Sequence, residues 1–347
     1  MLCLDVVQII CDYCDLKAQI NLISSCKEYD EYLKIKKLNC SGIIGSNIDQ
    51  EVIRQKKFDK LQELDVSANN KITDVNHLRN TLIELYCRYS GSWSCGIDQK
   101  GISNLKILQI LNAESNNKIT DVNHLQNTLT ELNCSWSCGI DQKGISNLKI
   151  LQILNASNND KIIDVNHLQN TLTELDCCYD CGIDQKGISN LKILQILNAN
   201  NNDKIIDVSH LRNTLLELDC RYDCGIDQKG ISDLKVLQKL FANNNDKIID
   251  VNHLQGILIE LYCNECGIDQ KGISNLKILQ KLFACANNKI TDVNHLQNTL
   301  TALDCSLDCG IDQQGISNLR VLQKLYTHNN NKITDVKPFT KQESPSI

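Results

Sequence analysis

The pentapeptide Cys-Gly-Ile-Asp-Gln occurs six times, beginning at Cys95, Cys138, Cys181, Cys224, Cys266 and Cys309, with steps of 43, 43, 43, 42 and 43 residues. A second block, Asp-Val-Asn-His-Leu, keeps the same step from Asp74, Asp121, Asp164, Asp250 and Asp292, with Asp-Val-Ser-His-Leu at Asp207 and a truncated Asp-Val at Asp335. A fixed period of this length demands a stack of similar units, each burying its apolar side against its neighbours. It overrides the two or three globular domains that 347 residues would otherwise suggest. Stacks present long surfaces, so the repeat points to binding rather than catalysis.

Each period splits into half-units of 21 and 22 residues. The copy from Leu151 reads Leu151-x-x-Leu154-x-Ala156-x-x-Asn159-x-x-Ile162, followed by Asp164, Val165 and Leu168. Its second half reads Leu172-x-x-Leu175-x-Cys177, then Cys181-Gly182-Ile183, Ile188 and Leu191. The alternation at Leu175-x-Cys177 makes a short strand with one face inward, and parallel strands stack about 4.8 Å apart. The Asn at the strand end is expected to bond backbone in the loop of its own or the next unit. Ile162, Val165 and Leu168 fill the core, and the return segment forms the outer face.

Both halves resemble the leucine-rich repeat, and the Cys-type halves resemble its cysteine-containing subtype, with Cys181 and its equivalents one place late. The resemblance implies an α/β fold, a curved solenoid with its parallel sheet on the concave face. Fourteen half-units start at Ile35, Leu61, Leu82, Leu108, Leu129, Leu151, Leu172, Leu194, Leu215, Leu237, Leu258, Leu279, Leu300 and Leu322. They cover residues 35–336. An insertion from Ser90 to Ser94 carries Trp93. The tail, residues 337–347, is expected to be disordered and too short for a catalytic domain.

Net charge is -6 with both signs interspersed and no basic patch, which disfavours nucleic acid and anionic membranes as partners. No apolar run reaches about 18 residues, so no membrane span is expected. The start of the chain lacks a basic region and carries Asp5 in its apolar run, unlike a secretory signal. An intracellular, cytoplasmic location with 19 reduced cysteines is the expectation. The Asn, Ile and Lys bias matches an AT-rich genome.

Residues 1–34 lack the repeat. Leu4, Val7, Ile10 and Tyr13, then Leu16, Ile20 and Ile23, fall at helical spacing, which suits a cap on the open end of the stack. Their order also resembles an F-box, whose pattern is roughly Leu-Pro-x-acidic-Val-x-x-x-Ile-x-x-Tyr-Leu, then Asp-Leu and Cys-Lys-x-aromatic. Here Cys3 stands for Pro, Cys14 for Leu and Tyr29 for the common Trp. The resemblance implies docking on a Skp-type adaptor, and through it a cullin ligase, by Leu4, Val7, Ile10, Tyr13, Leu16, Cys26, Lys27 and Tyr29. The repeats would then hold an unnamed protein to be ubiquitinated. Such proteins occur in eukaryotes and in large DNA viruses, where the location would be the host cytoplasm. The alternative is a non-catalytic scaffold with no ubiquitin link.

With the first core residue of a half-unit as position 1, residues 3, 5, 7 and 8 are expected on the concave face. Apart from Phe58, the aromatics of the array fall at position 5 (Tyr86, Phe241, Tyr262, Phe283, Tyr326), at position 8 (Tyr89, Trp136, Tyr179, Tyr222) or at Trp93. Exposed aromatics are typical binding anchors, though those at position 8 could merely cover strand ends. Position 3 carries Glu131, Glu174 and Glu217, with Lys239, Lys281 and Lys324 on late strands, and Glu and Lys on neighbouring strands can pair.

Cys87, Cys134, Cys177, Cys220, Cys263 and Cys305 form one ladder and the Cys-Gly-Ile cysteines another. Ladder neighbours lie about 10 Å apart, beyond disulfide reach. Repetition along an axis also prevents four ligands converging on zinc. Buried free thiols are expected, with no metal and no cofactor. His77, His124, His167, His210, His253 and His295 repeat on the return segment. That is how a structural position behaves, whereas an active site needs a unique constellation. A loop hydrogen bond or a solvated edge is their expected role, and the chain is expected not to be an enzyme.

Overall fold

The computed structural model describes residues 4–41, 48–89 and 94–336. Two compact units follow one another, Met1–Ile162 and Ile163–Ile347. In the first, three helices, α1 (Leu4–Asp12), α2 (Leu16–Ile23) and α3 (Lys27–Tyr32), precede the strands β1 (Lys37–Asn39), β2 (Glu63–Asp65), β3 (Glu84–Tyr86), β4 (Ile110–Asn112), β5 (Glu131–Asn133) and β6 (Ile153–Asn155). Each strand pairs in parallel with the next, residue for residue, so Glu63 lies opposite Glu84 and Tyr86 opposite Asn112.

The second unit repeats the arrangement with β7 (Glu174–Asp176), β8 (Ile196–Asn198), β9 (Glu217–Asp219), β10 (Lys239–Phe241), β11 (Glu260–Tyr262), β12 (Lys281–Phe283), β13 (Ala302–Asp304) and β14 (Lys324–Tyr326). These strands also run parallel in sequence order. Each unit is a leucine-rich-repeat solenoid, as the periodicity implies.

The strands are only three residues long because the inward position alternates with exposed ones and the chain must turn after position 6. Leu154 and Leu175 at strand centres, and Ala156 and Cys177 at position 6, are buried. Return segments come in two forms. In the Asn-type halves a 3-10 turn such as Asn123–Leu125 drives Val122 and Leu125 inward. In the Cys-type halves a single helical turn such as Gln142–Ile145 does so, capped by Asp141, whose carboxylate accepts from the Gly144 amide.

The repeated polar residues link adjacent half-units. Buried Asn245 donates through Nδ2 to the Cys220 and Ile226 carbonyls at 2.8 and 3.2 Å, while its Oδ1 accepts from the Lys247 amide. The asparagine therefore bonds its own loop, one of the two expected partners, and reaches back to the preceding half-unit as well. The side chain of Gln228 bonds the backbone of Ile249 and Asp250 one half-unit ahead. Lys247 Nζ donates back to the Cys224 carbonyl at 3.0 Å. Gly144 permits a close approach, since a Cβ there would lie 2.1 Å from the Thr120 carbonyl oxygen.

Candidate functional site

Two surfaces gather the residues with chemistry to offer: the outer side of α1 and the strand face of each unit. On α1, Val7 and Cys11 face the core, and Gln8 ties the helix to the entry of β1 by bonding both the amide and the carbonyl of Lys34. Lys36 pairs with Asp12 at 2.5 Å. Val6, Ile9, Ile10 and Tyr13 lie on the opposite side and are exposed, Tyr13 to 91%.

Val7 was expected on the docking surface, and its burial corrects that assignment. Residues 6, 9, 10 and 13 share one helical face, whereas Val7 belongs with Cys11 on the other. The 3.6-residue period carries this distinction, and it points to Val6 and Ile9, which the sequence reading omitted. Leu4, Leu16 and Tyr29 are half-buried, while Cys26 and Lys27 are exposed. Leu16 lines a cleft of about 670 Å³ with Asp12, Lys36, Lys37 and Glu63, next to the strand face.

On the first unit's strand face, Glu63 and Glu84 stand side by side, with Lys37 bridging to Glu63. The Tyr86 hydroxyl donates to Glu84 at 3.1 Å, and burial together with that bond pushes its pKa up to about 12. Tyr89 is half-buried beneath the Lys118 ammonium, which lies 5.7 Å from its ring. Glu131 is half-buried on β5. Trp93 lies outside the described residues.

The second unit's strand face carries a stack of rings. Phe241, Tyr262 and Phe283, all at position 5, have centroids 4.4 Å apart at each step and interplanar angles of 19° and 3°. Arg221 covers the outer face of Phe241 at 5.8 Å and forks onto Asp219. Beside the rings, Lys239 pairs with Glu217 at 3.3 Å and Lys281 with Glu260 at 2.8 Å. Glu174 is half-buried on β7, and Lys324 is exposed at the far end. Tyr326 is half-buried, one strand removed from the stack.

Position 8 separates the two half-unit types. Trp136, Tyr179 and Tyr222 are 48%, 43% and 50% exposed, so they protrude rather than cover strand ends. All three have positive φ, at 56°, 57° and 57°. Position 7 differs from expectation only for short side chains: Ser67, Ser135, Ser157, Cys178, Asn200 and Ser306 are buried there, while Arg88 is exposed and Arg221 lies over Phe241. The turn that places position 8 in the left-handed region draws a short position-7 side chain under it.

The described cysteines are free, and the two ladders are buried. Thiols at position 6 donate to the next strand, as Cys220 does to the Phe241 carbonyl at 3.4 Å. Burial pushes Cys138, Cys181 and Cys224 up to about 11, which makes them poor nucleophiles. Comparing neighbours along a ladder misses a contact within one half-unit. Cys87 neighbours Cys95, and Cys263 neighbours Cys266; the interaction within each pair, together with burial, holds the first thiol up, while the same interaction brings the second down.

The histidines take the loop-bonding role. His124 and His253 each place Nε2 3.1 Å from a carbonyl of the preceding half-unit, at Ile102 and Ile231. Among the described residues no group of three or more His, Cys, Asp or Glu side chains is placed to hold a metal ion. Nor is any helix long and apolar enough to cross a membrane.

No protein-family model matches the sequence, and no curated protein matches it. Solved structures do. An internalin (InlF) from Listeria monocytogenes aligns at TM-score 0.54 and 23% identity, over 88% of this chain and 83% of that one. The functional domain of InlJ from the same organism, which includes a cysteine ladder, aligns at TM-score 0.57 and 24% identity, over 85% of this chain and 63% of that one. TLR13, solved in complex with ssRNA13, aligns at TM-score 0.51 and 18% identity, over 86% of this chain and 49% of that one. At such identities the likeness speaks for architecture alone, and that architecture is the leucine-rich-repeat fold.

Proposed function

We propose that this chain is a non-catalytic receptor: α1 docks on a Skp-type adaptor of a cullin ubiquitin ligase, and the strand faces hold the protein to be modified. The observation that carries the reading is the apolar outer face of α1. Capping is accomplished by Val7, Cys11, Ile23 and Leu33, which are buried. Val6, Ile9, Ile10 and Tyr13 add nothing to that core, and three exposed apolar side chains on one short helix with a fourth just past its end cost solubility unless a partner covers them. The exposed Cys26 and Lys27 and the half-buried Tyr29, at the start of α3, fit the second part of the F-box pattern. Aromatic anchors on the strand faces supply the target-holding half.

The test is capture of a purified Skp-type adaptor by the full chain and by its Ile9→Asp and Tyr13→Asp variants. Capture by the parent chain, lost in both variants while their circular dichroism is unchanged, supports the receptor. No capture by the folded parent chain overturns the ubiquitin link and leaves a binding solenoid whose helices only cap.

A further inference from the structure

We infer that β12, β13 and β14 form a slot for an arginine side chain of the partner protein, an inference that deepens the target-holding role of the strand face and rests on it. The ring stack at position 5 runs Phe241, Tyr262, Phe283 and then breaks. Asp304 takes the next rung, and Tyr326 follows it. Registers place Phe283 and Tyr326 on either side of Asp304. Two rungs at strand spacing separate those rings by about 9.6 Å. One flat group fits between them at close to the 4.4 Å pitch that the existing stack adopts.

The floor of this slot is a carboxylate. Asp304 uses Oδ1 to accept from the Ser306 amide at 2.9 Å and has no ion-pair partner among the described residues. At position 3 of the same strand, Ala302 stands where β9 and β11 have Glu217 and Glu260, so β13 itself sends no long side chain over the floor. Lys281, on the neighbouring strand, is drawn to Glu260 on the side away from β13.

A guanidinium is planar, stacks on aromatic faces and donates in parallel to a carboxylate. An ammonium is compact and strongly hydrated, and a neutral ring would leave the carboxylate unpaired. The opposite end of the ring stack, in the same unit, already shows this chemistry in reverse order, where Arg221 lies over Phe241 and forks onto Asp219. The vacant rung asks the partner for the same group.

The experiment titrates the full chain, carrying ¹³C-labelled Phe and Tyr, with N-acetyl-arginine amide and follows the ring signals by NMR. Saturable shifts of Phe283 and Tyr326 are expected, weakened at least fivefold by Asp304→Asn. That variant should fold, because Asn155 and Asn198 occupy the same position and make the same bond to the backbone. N-acetyl-lysine amide and N-acetyl-phenylalanine amide should bind more weakly. Shifts that do not saturate, that Asp304→Asn leaves unchanged, or that the phenylalanine analogue matches would overturn the slot. The adaptor plays no part in this titration, so its failure is distinct from a failure of adaptor capture.

Discussion

Tyr222 sits at φ 57°, a conformation that costs an L-residue about 1–2 kcal/mol unless it is Gly, Asn or Asp. The same position in the Asn-type halves holds Asn158, Asn201, Asn244 and Asn329, which suit it, alongside Ala68, Ser115 and Ala286. Asparagine takes this conformation more readily than other non-glycine residues, so a half-exposed tyrosine there answers to something other than stability. Tyr222→Asn should raise the urea midpoint by an amount equivalent to roughly 1 kcal/mol while weakening target capture. A lower midpoint would show that the ring packs structurally. Gly144→Ala should do the opposite, costing about 3 kcal/mol as its Cβ meets the Thr120 carbonyl. Residue spacing alone located the aromatics and the asparagine ladder. It was silent on the sign of φ, because alternation reports which side a residue faces and not the turn that follows. For that reason the burial at position 7 went unseen.

At the scale of elements, the return segments couple stability to pH. His124, His210, His253 and His295 each bond a carbonyl of the preceding half-unit, and burial lowers their pKa below the ordinary 6.5, with Asp121, Asp207, Asp250 and Asp292 partly opposing it. A base whose folded pKa is depressed takes up more protons when unfolded. Its contribution is thus present above 6.5 and is lost as pH falls through that value towards the folded pKa. Urea midpoints should fall between pH 7.5 and 5.5, and a paired His210→Gln, His253→Gln variant should flatten the slope. A slope unchanged by the pair would place the sensitivity elsewhere. The histidine period was plain in the sequence, but which carbonyl each ring meets depends on the return path of the preceding half-unit. The faces of α1 were legible in principle, since Val6, Ile9, Ile10 and Tyr13 keep helical spacing. The F-box pattern drew Val7 into the docking set because it matches by order along the chain, while burial follows angle around the helix.

At the scale of the whole molecule, a stack held by nearest-neighbour contacts should open from its ends before its middle. The carboxyl-terminal end shows the beginnings of this: Leu322 is half-exposed and Leu319, Leu325 and Ile333 are 8%, 7% and 9% exposed, where their counterparts further inside the second unit are sealed. The cysteine ladders make the opening measurable, because a buried thiol reacts only when its half-unit comes apart. Under native conditions iodoacetamide should modify Cys26 first, with Cys14 and Cys285 following at intermediate rates, since these are the described thiols not fully buried. Raising urea below the main transition should then expose Cys309 and Cys305 ahead of Cys224 and Cys220, as read by mass spectrometry of pulse-labelled peptides. Simultaneous labelling of all four would show that the second unit melts as one cooperative block, with neighbour coupling strong enough to suppress fraying. Earlier labelling of Cys220 than of Cys305 would contradict the stack, for it would require an interior half-unit to open while both neighbours stay closed.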